Sequence, residues 1–292
     1  MESLVSTDWL QAELGAADLR ILDATWFLPS DGRDARAEYQ AAHVPGAVFV
    51  DIDEVSDPAS DLPHMLPPPH LMASRMQALG VRDGARIVVY DNSPLHSGAR
   101  LWWMLRSFGA RRVALLDGGL ARWQAEGRPT QSGASAPRRG HFTALPAPAV
   151  ARGHFTPMLR ADAIAGKAEV LSLLGTGTEI VDARSAARFS GEEPEPRSGL
   201  ASGHMPGARN LPQGELFNAD NSWKRGDALR AAFEAAGVDL SKPMVTTCGS
   251  GVTAAVLLFG AHLLGKDDVR LYDGSWSEWG ADAALPKATG RA

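Results

Sequence analysis

MVTTCGSGVTAAVLLFGAHLLG, residues 244–265, holds at its centre Cys248, the single cysteine of a 292-residue chain. Pro243 opens a β-prone run over 244–247 that stops at the cysteine. Beyond the glycines, Val252, Val256, Phe259 and Leu263 fall at helical spacing, and Gly265 marks the C-terminal stop. The stretch therefore reads as strand, tight loop, helix. In such a unit the loop lies at the carboxyl end of the strand, where its backbone N–H groups converge on whatever charge Cys248 carries. Gly249 and Gly251 permit the curl because they have no side chains to block it. A helix N-terminus carries roughly half a positive charge and can bring a cysteine pKa from about 8.5 down to roughly 3.5–7.5. The expected species is a thiolate near neutral pH, which is a nucleophile. A lone cysteine can also be a small buried hydrophobe. Its place between a strand end and a glycine loop favours the reactive alternative.

Outward from this stretch, the same unit recurs. Residues 21–23 read as a strand ending in Asp23, 35–42 as a helix, and 48–50 as a strand after the turn His43-Val44-Pro45-Gly46-Ala47. A helix over 71–79 stops at Gly80, the strand 87–90 leads through Asp91 into a helix over 98–108, and 113–116 is the next strand. Asp117-Gly118-Gly119 then starts a helix holding Trp123. Alternation of this kind predicts a parallel sheet with helices on both faces.

The order then comes round again. VPGA after His43 returns as MPGA after His204, and LDGGLARW around Asp117 returns as YDGSWSEW around Asp273. The offsets are 161 from His43 to His204, 156 from Asp117 to Asp273, and 159 from Asp23 to Asp182. Near-constant spacing means two copies of one α/β domain. Asp91 faces Cys248 at an offset of 157, so the first copy has an aspartate where the second has its nucleophile. The expected organisation is a catalytically silent domain over 1–128, a linker over 129–157 and a catalytic domain over 158–292. The linker is rich in proline, glycine, serine and alanine, and its Arg138, Arg139 and Arg152 read as residues of a solvated connector. The weakly patterned tail from Ala281 is expected to fray.

Composition narrows the class. A net charge of −5 and a pI near 5.9 argue against nucleic-acid or anionic-membrane partners. One cysteine excludes an internal disulfide, and no Cys/His cluster has zinc spacing, so neither metal nor cofactor is expected. MESLVSTDWLQAELG has acids and no apolar core, unlike a secretory or transit peptide, and no apolar run is long enough to span a bilayer. A cytoplasmic location is expected.

The loop resembles the active-site loop of rhodanese-type sulfurtransferases, and CGSGVTA is similar to the form found in the two-domain 3-mercaptopyruvate sulfurtransferases of that family. The resemblance implies two tandem rhodanese-like domains, the first without a nucleophile. It implies a cysteine that takes a sulfur atom from 3-mercaptopyruvate, holds it as a persulfide, and passes it to a thiol acceptor such as thioredoxin, or to cyanide. The thiosulfate-specific members carry two basic residues where this chain has Gly249 and Ser250, which bears on donor choice. In the family, arginines of a GRF…PEPR pattern hold the substrate carboxylate. Ala187-Arg188-Phe189 and Pro194-Glu195-Pro196-Arg197 match it except for the first glycine.

The implied site is Cys248 and Ser250 for catalysis, with Arg188, Arg197, Gly249, Gly251, Val252 and Thr253 around the substrate. A guanidinium fork suits a carboxylate through two charge-assisted hydrogen bonds. The competing reading makes these arginines, Arg184 above all, salt-bridge partners of Asp182, Glu192, Glu193 or Glu195. Ser250 can donate a hydroxyl proton or merely fit the loop. Thr253 can cap the helix or point at the persulfide. His43 and His204 recur in both halves and read as structural. Asp61, His64 and His70 resemble an interdomain loop with an auxiliary aspartate and histidine, but Pro63 stands where the aspartate would be, so no relay is assigned. Two other classes compete with sulfur transfer. A cysteine phosphatase of this fold needs a longer loop ending in arginine, which is absent, and a non-catalytic binding module would leave the cysteine idle.

Overall fold

The computed structural model describes residues 1–133 and 153–290. One sheet combines β1 (Leu4–Val5), β2 (Leu19–Asp23), β3 (Val48–Phe49), β4 (Arg86–Tyr90) and β5 (Val113–Leu116) in the order β1-β5-β4-β2-β3. The other combines β6 (Ile164–Ala165), β7 (Glu179–Asp182), β8 (Arg209–Asn210), β9 (Met244–Thr247) and β10 (Val269–Tyr272) in the order β6-β10-β9-β7-β8. Every pairing is parallel, and adding five to each strand of the first sheet gives the second. The sequence repeat is therefore a repeat of topology. Inner strands such as Ile87-Val88-Val89 are covered on both faces, which is why they read as unbroken apolar runs.

Helix Gly98–Ser107 follows β4, and helix Ala254–Leu263 follows β9. These two form the seam between the halves, with Trp102 edge-on to Phe259 at 4.8 Å. The second helix is buried without a break from Ala254 to Ala261, because its own sheet covers one side and the first half covers the other. A single apolar core crosses the seam, taking in Leu101, Trp103 and Leu105 together with Val256, Leu257 and Phe259. Smaller cores around Val88 and Trp123, and around Val245 and Trp276, fill the outer side of each sheet.

The paired histidines are structural, as their repetition suggests. His43 Nδ1 lies 2.7 Å from the Tyr39 carbonyl with its ring stacked on Tyr39, and His204 Nδ1 lies 2.8 Å from the Phe189 carbonyl with its ring stacked on Phe189. Their backbones bridge to Gln131 and Ala288 respectively. The second bridge corrects the expectation of a frayed tail. Ala288 is tied to His204, the Gly290 N–H donates to the Ser190 carbonyl at 2.8 Å, and Lys287 Nζ reaches the Asp282 carbonyl at 2.6 Å. Backbone pairing needs no side-chain periodicity, so a pattern search passes over it. Arg138, Arg139 and Arg152 of the expected linker lie outside the described residues. Its ends are held to the first half, by Gln131 on one side and by buried Phe155 and the Thr156–Asp83 hydrogen bond on the other.

The halves also exchange loops. The Leu66 N–H of the first half donates to Asp273 Oδ2 of the second at 2.7 Å, and the Trp223 N–H of the second donates to Asp117 Oδ1 of the first at 2.9 Å. Two residues earlier in each loop, His64 (φ 62°) and Asn221 (φ 66°) both take the left-handed conformation.

Candidate active site

Cys248 follows β9 at the carboxyl edge of the second sheet and is 2% exposed. The loop curls back so that the Gly251 N–H donates to Cys248 Sγ at 3.1 Å. That curl uses a φ of 81° at Gly251, and a Cβ there would sit 2.8 Å from Arg100 Nη1, so only glycine fits. The segment after β10 holds the outer side of the loop. Trp276 N–H donates to the Cys248 carbonyl at 2.9 Å, and the Ser277 N–H and hydroxyl both donate to the Gly249 carbonyl, at 2.9 and 2.7 Å. With its carbonyls engaged on one side, the loop presents N–H groups on the other, the geometry of an anion nest. The repeated DGSWSEW stretch thus acts as a clasp for the nucleophile loop.

The silent half keeps the same construction around a carboxylate. Asp91 follows β4, its oxygens accept from the Ser93 and Gly98 N–H groups at 3.0 and 2.8 Å, and Leu120 N–H donates to its carbonyl as Trp276 does to that of Cys248. Burial pushes the Asp91 carboxyl up to about 7. The cradle remains, but a carboxylate cannot carry a persulfide.

Ser250, two residues past the nucleophile, meets a residue from the other half. His64 Nδ1 lies 2.8 Å from Ser250 Oγ, and His64 Nε2 lies 2.9 Å from Asp53 Oδ1. Trp26 Nε1 donates to Asp53 Oδ2 at 3.0 Å and packs edge-on to the His64 ring at 4.8 Å. The His64 hydrogen bond, aided by Trp26, holds the Asp53 carboxyl below its usual range. With Nε2–H donated to Asp53, Nδ1 is left as an acceptor for the Ser250 hydroxyl. No aspartate stands beside His64 in the sequence, and the one that meets its ring comes from helix Ile52–Val55. Asp61 and His70 are exposed and take no part in this chain of hydrogen bonds. Asp53 is the residue that motif reading missed. The repeat offered one signal for His64, because its counterpart at an offset of 157 is Asn221, another residue type that tolerates a left-handed backbone.

The arginines divide by role. Arg184 is fully buried, bonded to Asp182, Glu195 and the Gly203 carbonyl, and stacked over Trp276 at 4.5 Å, so it is structural. Glu195 also takes Arg188 Nη2 at 2.5 Å and Nε at 3.3 Å, which leaves Arg188 Nη1 free of that pairing. Ala187, where the family pattern has glycine, sits within helix Ala186–Ser190 without strain. A Cβ on Gly249 would lie 3.0 Å from Arg188 Nη2, so Arg188 reaches the residue next to the nucleophile. Two carboxylates, Asp182 and Glu195, balance Arg184 and Arg188.

Arg197 is left unmatched, half-buried and without a hydrogen-bond or ion-pair partner among the described residues. Burial lowers its pKa, Arg188 adds to that, and the charges of Cys248 and Asp53 oppose it. A positive charge facing the sulfur with no protein partner is suited to an anionic substrate. Thr253 makes no capping hydrogen bond at the head of its helix. Val252 is buried within the loop. Among the described residues no cluster of His, Cys, Asp or Glu could hold a metal ion, and no helix is long and apolar enough to cross a membrane.

Residues 6–126 and 167–282 each match the model of the rhodanese-like domain. The chain belongs to the rhodanese family. Among rhodanese relatives, human 3-mercaptopyruvate sulfurtransferase is 42% identical over 284 residues, spanning 95% of this chain and 91% of the relative. Bovine thiosulfate sulfurtransferase is 41% identical over 285 residues, spanning the same shares. The crystal structure of a 3-mercaptopyruvate sulfotransferase from Escherichia coli superposes with a TM-score of 0.81 at 40% identity, covering 95% of this chain and 100% of that one. Likeness of this even kind identifies the rhodanese family, while the sulfur donor has to be read from the site itself.

Proposed function

We propose that the protein is a 3-mercaptopyruvate sulfurtransferase working through a Cys248 persulfide. The observation that carries the donor is the Ser250–His64–Asp53 chain beside the nucleophile. When a thiolate takes sulfur from mercaptopyruvate, the S–S bond forms as the C–S bond breaks. The electron pair goes to the CH2 carbon, giving pyruvate enolate, which needs a proton. When the donor is thiosulfate, the leaving group is sulfite, which needs none. A proton path to the sulfur is useful only for the first reaction.

In this reading Arg197, with Arg188 Nη1, receives the donor carboxylate. Cys248 attacks the sulfur, His64 Nδ1 takes the donor's S–H proton through Ser250 and returns it the same way to the enolate carbon, leaving pyruvate and the Cys248 persulfide anion. The Gly251 N–H and its neighbours stabilise the anionic persulfide. An acceptor thiolate then attacks the outer sulfur and Cys248 leaves as thiolate. Reduced thioredoxin, another protein thiol or a small thiol fits that step, and a reducing compartment such as the cytoplasm suits a free nucleophilic cysteine.

Arg197→Ala is expected to reduce kcat/KM for mercaptopyruvate by about 1.5–3 kcal/mol per charge-assisted bond lost, with the thiol still open to alkylation. It is a cleaner probe than Arg188→Ala, which also strips a partner from the nearly buried Glu195. Wild-type kcat/KM in the Arg197 variant would remove it from the carboxylate site.

The alternative donor, thiosulfate, is tested through loop charge. Gly249 has no left-handed φ, and the atom its new side chain would meet is the movable end of Arg188. Gly249→Arg, alone and with Ser250→Lys, is therefore expected to fold. Positive charge beside the sulfur should raise thiosulfate turnover and lower mercaptopyruvate turnover, a crossover driven by a few kcal/mol at most. An unchanged ratio of the two activities in the single variant would show that loop charge does not select the donor.

A further inference from the structure

Arg100 belongs to the silent half, yet its side chain ends at the reactive one. It rises from helix Gly98–Ser107 and is fully buried. Nη1 lies 2.7 Å from Asp273 Oδ1 and 3.3 Å from the Gly251 carbonyl, and Nη2 donates to the His64 carbonyl. The guanidinium sits 4.5 Å over the Trp103 ring. Asp273 Oδ2 accepts from the Leu66 N–H, so the ion pair also fixes the far end of the loop that carries His64.

These contacts join the two residues on which the chemistry depends for geometry. Gly251 aims its N–H at Cys248 Sγ, and His64 aims its ring at Ser250. One planar fork sets the distance between them, which a point charge on a flexible stem could not do. The silent site has the matching aspartate and loop, since Asp117 accepts from Trp223 N–H. The position answering to Arg100 at an offset of 157 is Leu257, and Asp117 pairs instead with the exposed Arg225 at 2.8 Å, so the buried fork is missing there. The buried pair is thus present at the site with a nucleophile and absent from the site without one. Stability alone does not explain it, because a buried ion pair is often no better for folding than well-packed apolar groups.

We propose that Arg100 is a positioning residue for the first half-reaction: through the His64 and Gly251 carbonyls it holds the proton path in line with the sulfur. This rests on the mercaptopyruvate reading above. The test is Arg100→Lys, which keeps the charge and loses the fork. Persulfide formation at saturating mercaptopyruvate is expected to slow about 100-fold, the scale of a misplaced general acid. KM for the donor, alkylation of Cys248 by iodoacetamide, and discharge of a preformed persulfide to a thiol should each stay within about threefold of wild type.

Equal slowing of all steps, or wild-type persulfide formation, would overturn the proposal. Should the lysine variant not fold, Asp273→Asn, which keeps the shape of the pair and weakens its charge, is measured in the same three ways with the same two readings. Wild-type protein is run alongside. If it forms a persulfide from thiosulfate but none from mercaptopyruvate, the donor assignment is wrong and this proposal falls with it.

Discussion

Cys248→Ser is expected to leave a folded protein with no sulfur transfer at all. Serine is close to cysteine in size, and the Gly251 N–H that meets Sγ at 3.1 Å can meet a hydroxyl in the same place. A hydroxyl is far too weak an acid to ionise in that cradle, and it cannot form a persulfide. Intact mass spectrometry after incubation with donor alone reads the difference. Wild type should gain one sulfur atom and the variant none. Lack of the adduct on wild type at saturating donor would remove the persulfide, and with it the reading that distinguishes an enzyme from a binding module.

His64→Asn is the second large effect, and it separates donors. Asparagine accepts the left-handed φ of 62° found at this position, as Asn221 does in the other half, so the backbone has no cause to move. The ring that joins Ser250 to Asp53 is lost. Pyruvate formation should fall by about 10²–10⁴-fold, the usual contribution of a positioned acid or base. Thiosulfate turnover, however small in wild type, should be nearly spared, because sulfite departs without a proton. Pyruvate measured by a coupled dehydrogenase and sulfite measured directly give the two rates on one preparation. A proportionate loss of both would mean that His64 supports the loop and moves no proton.

The strand-loop-helix unit and the doubling of the domain were legible because both lie in local order: a β-prone run, glycines, helical spacing, and recurring PGA and DG turns. Arg188 and Arg197 could be singled out for the same reason, being carried on a local motif. The Ser250–His64–Asp53 chain of hydrogen bonds was not. Ser250 and His64 stand 186 residues apart, and Asp53 lies upstream of the proline-rich loop that carries His64. Arg100 was equally hidden. It belongs to no motif, and only the packing of one half against the other buries it. Each miss is a residue whose partner belongs to a different segment of the chain, set by tertiary contact and not by spacing.

The exchange of loops, Leu66 to Asp273 and Trp223 to Asp117, has the form of a two-fold homodimer in which each subunit completes its neighbour's site. Here both subunits are on one chain. A true dimer loses its neighbour's loop on dilution, and its activity per molecule falls with it. A covalent tether turns that encounter into an intramolecular one, with an effective concentration set by chain length and independent of how much protein is present. Specific activity should accordingly be flat down to the most dilute solution in which turnover can be followed, and the two halves are maintained at a one-to-one ratio by synthesis itself.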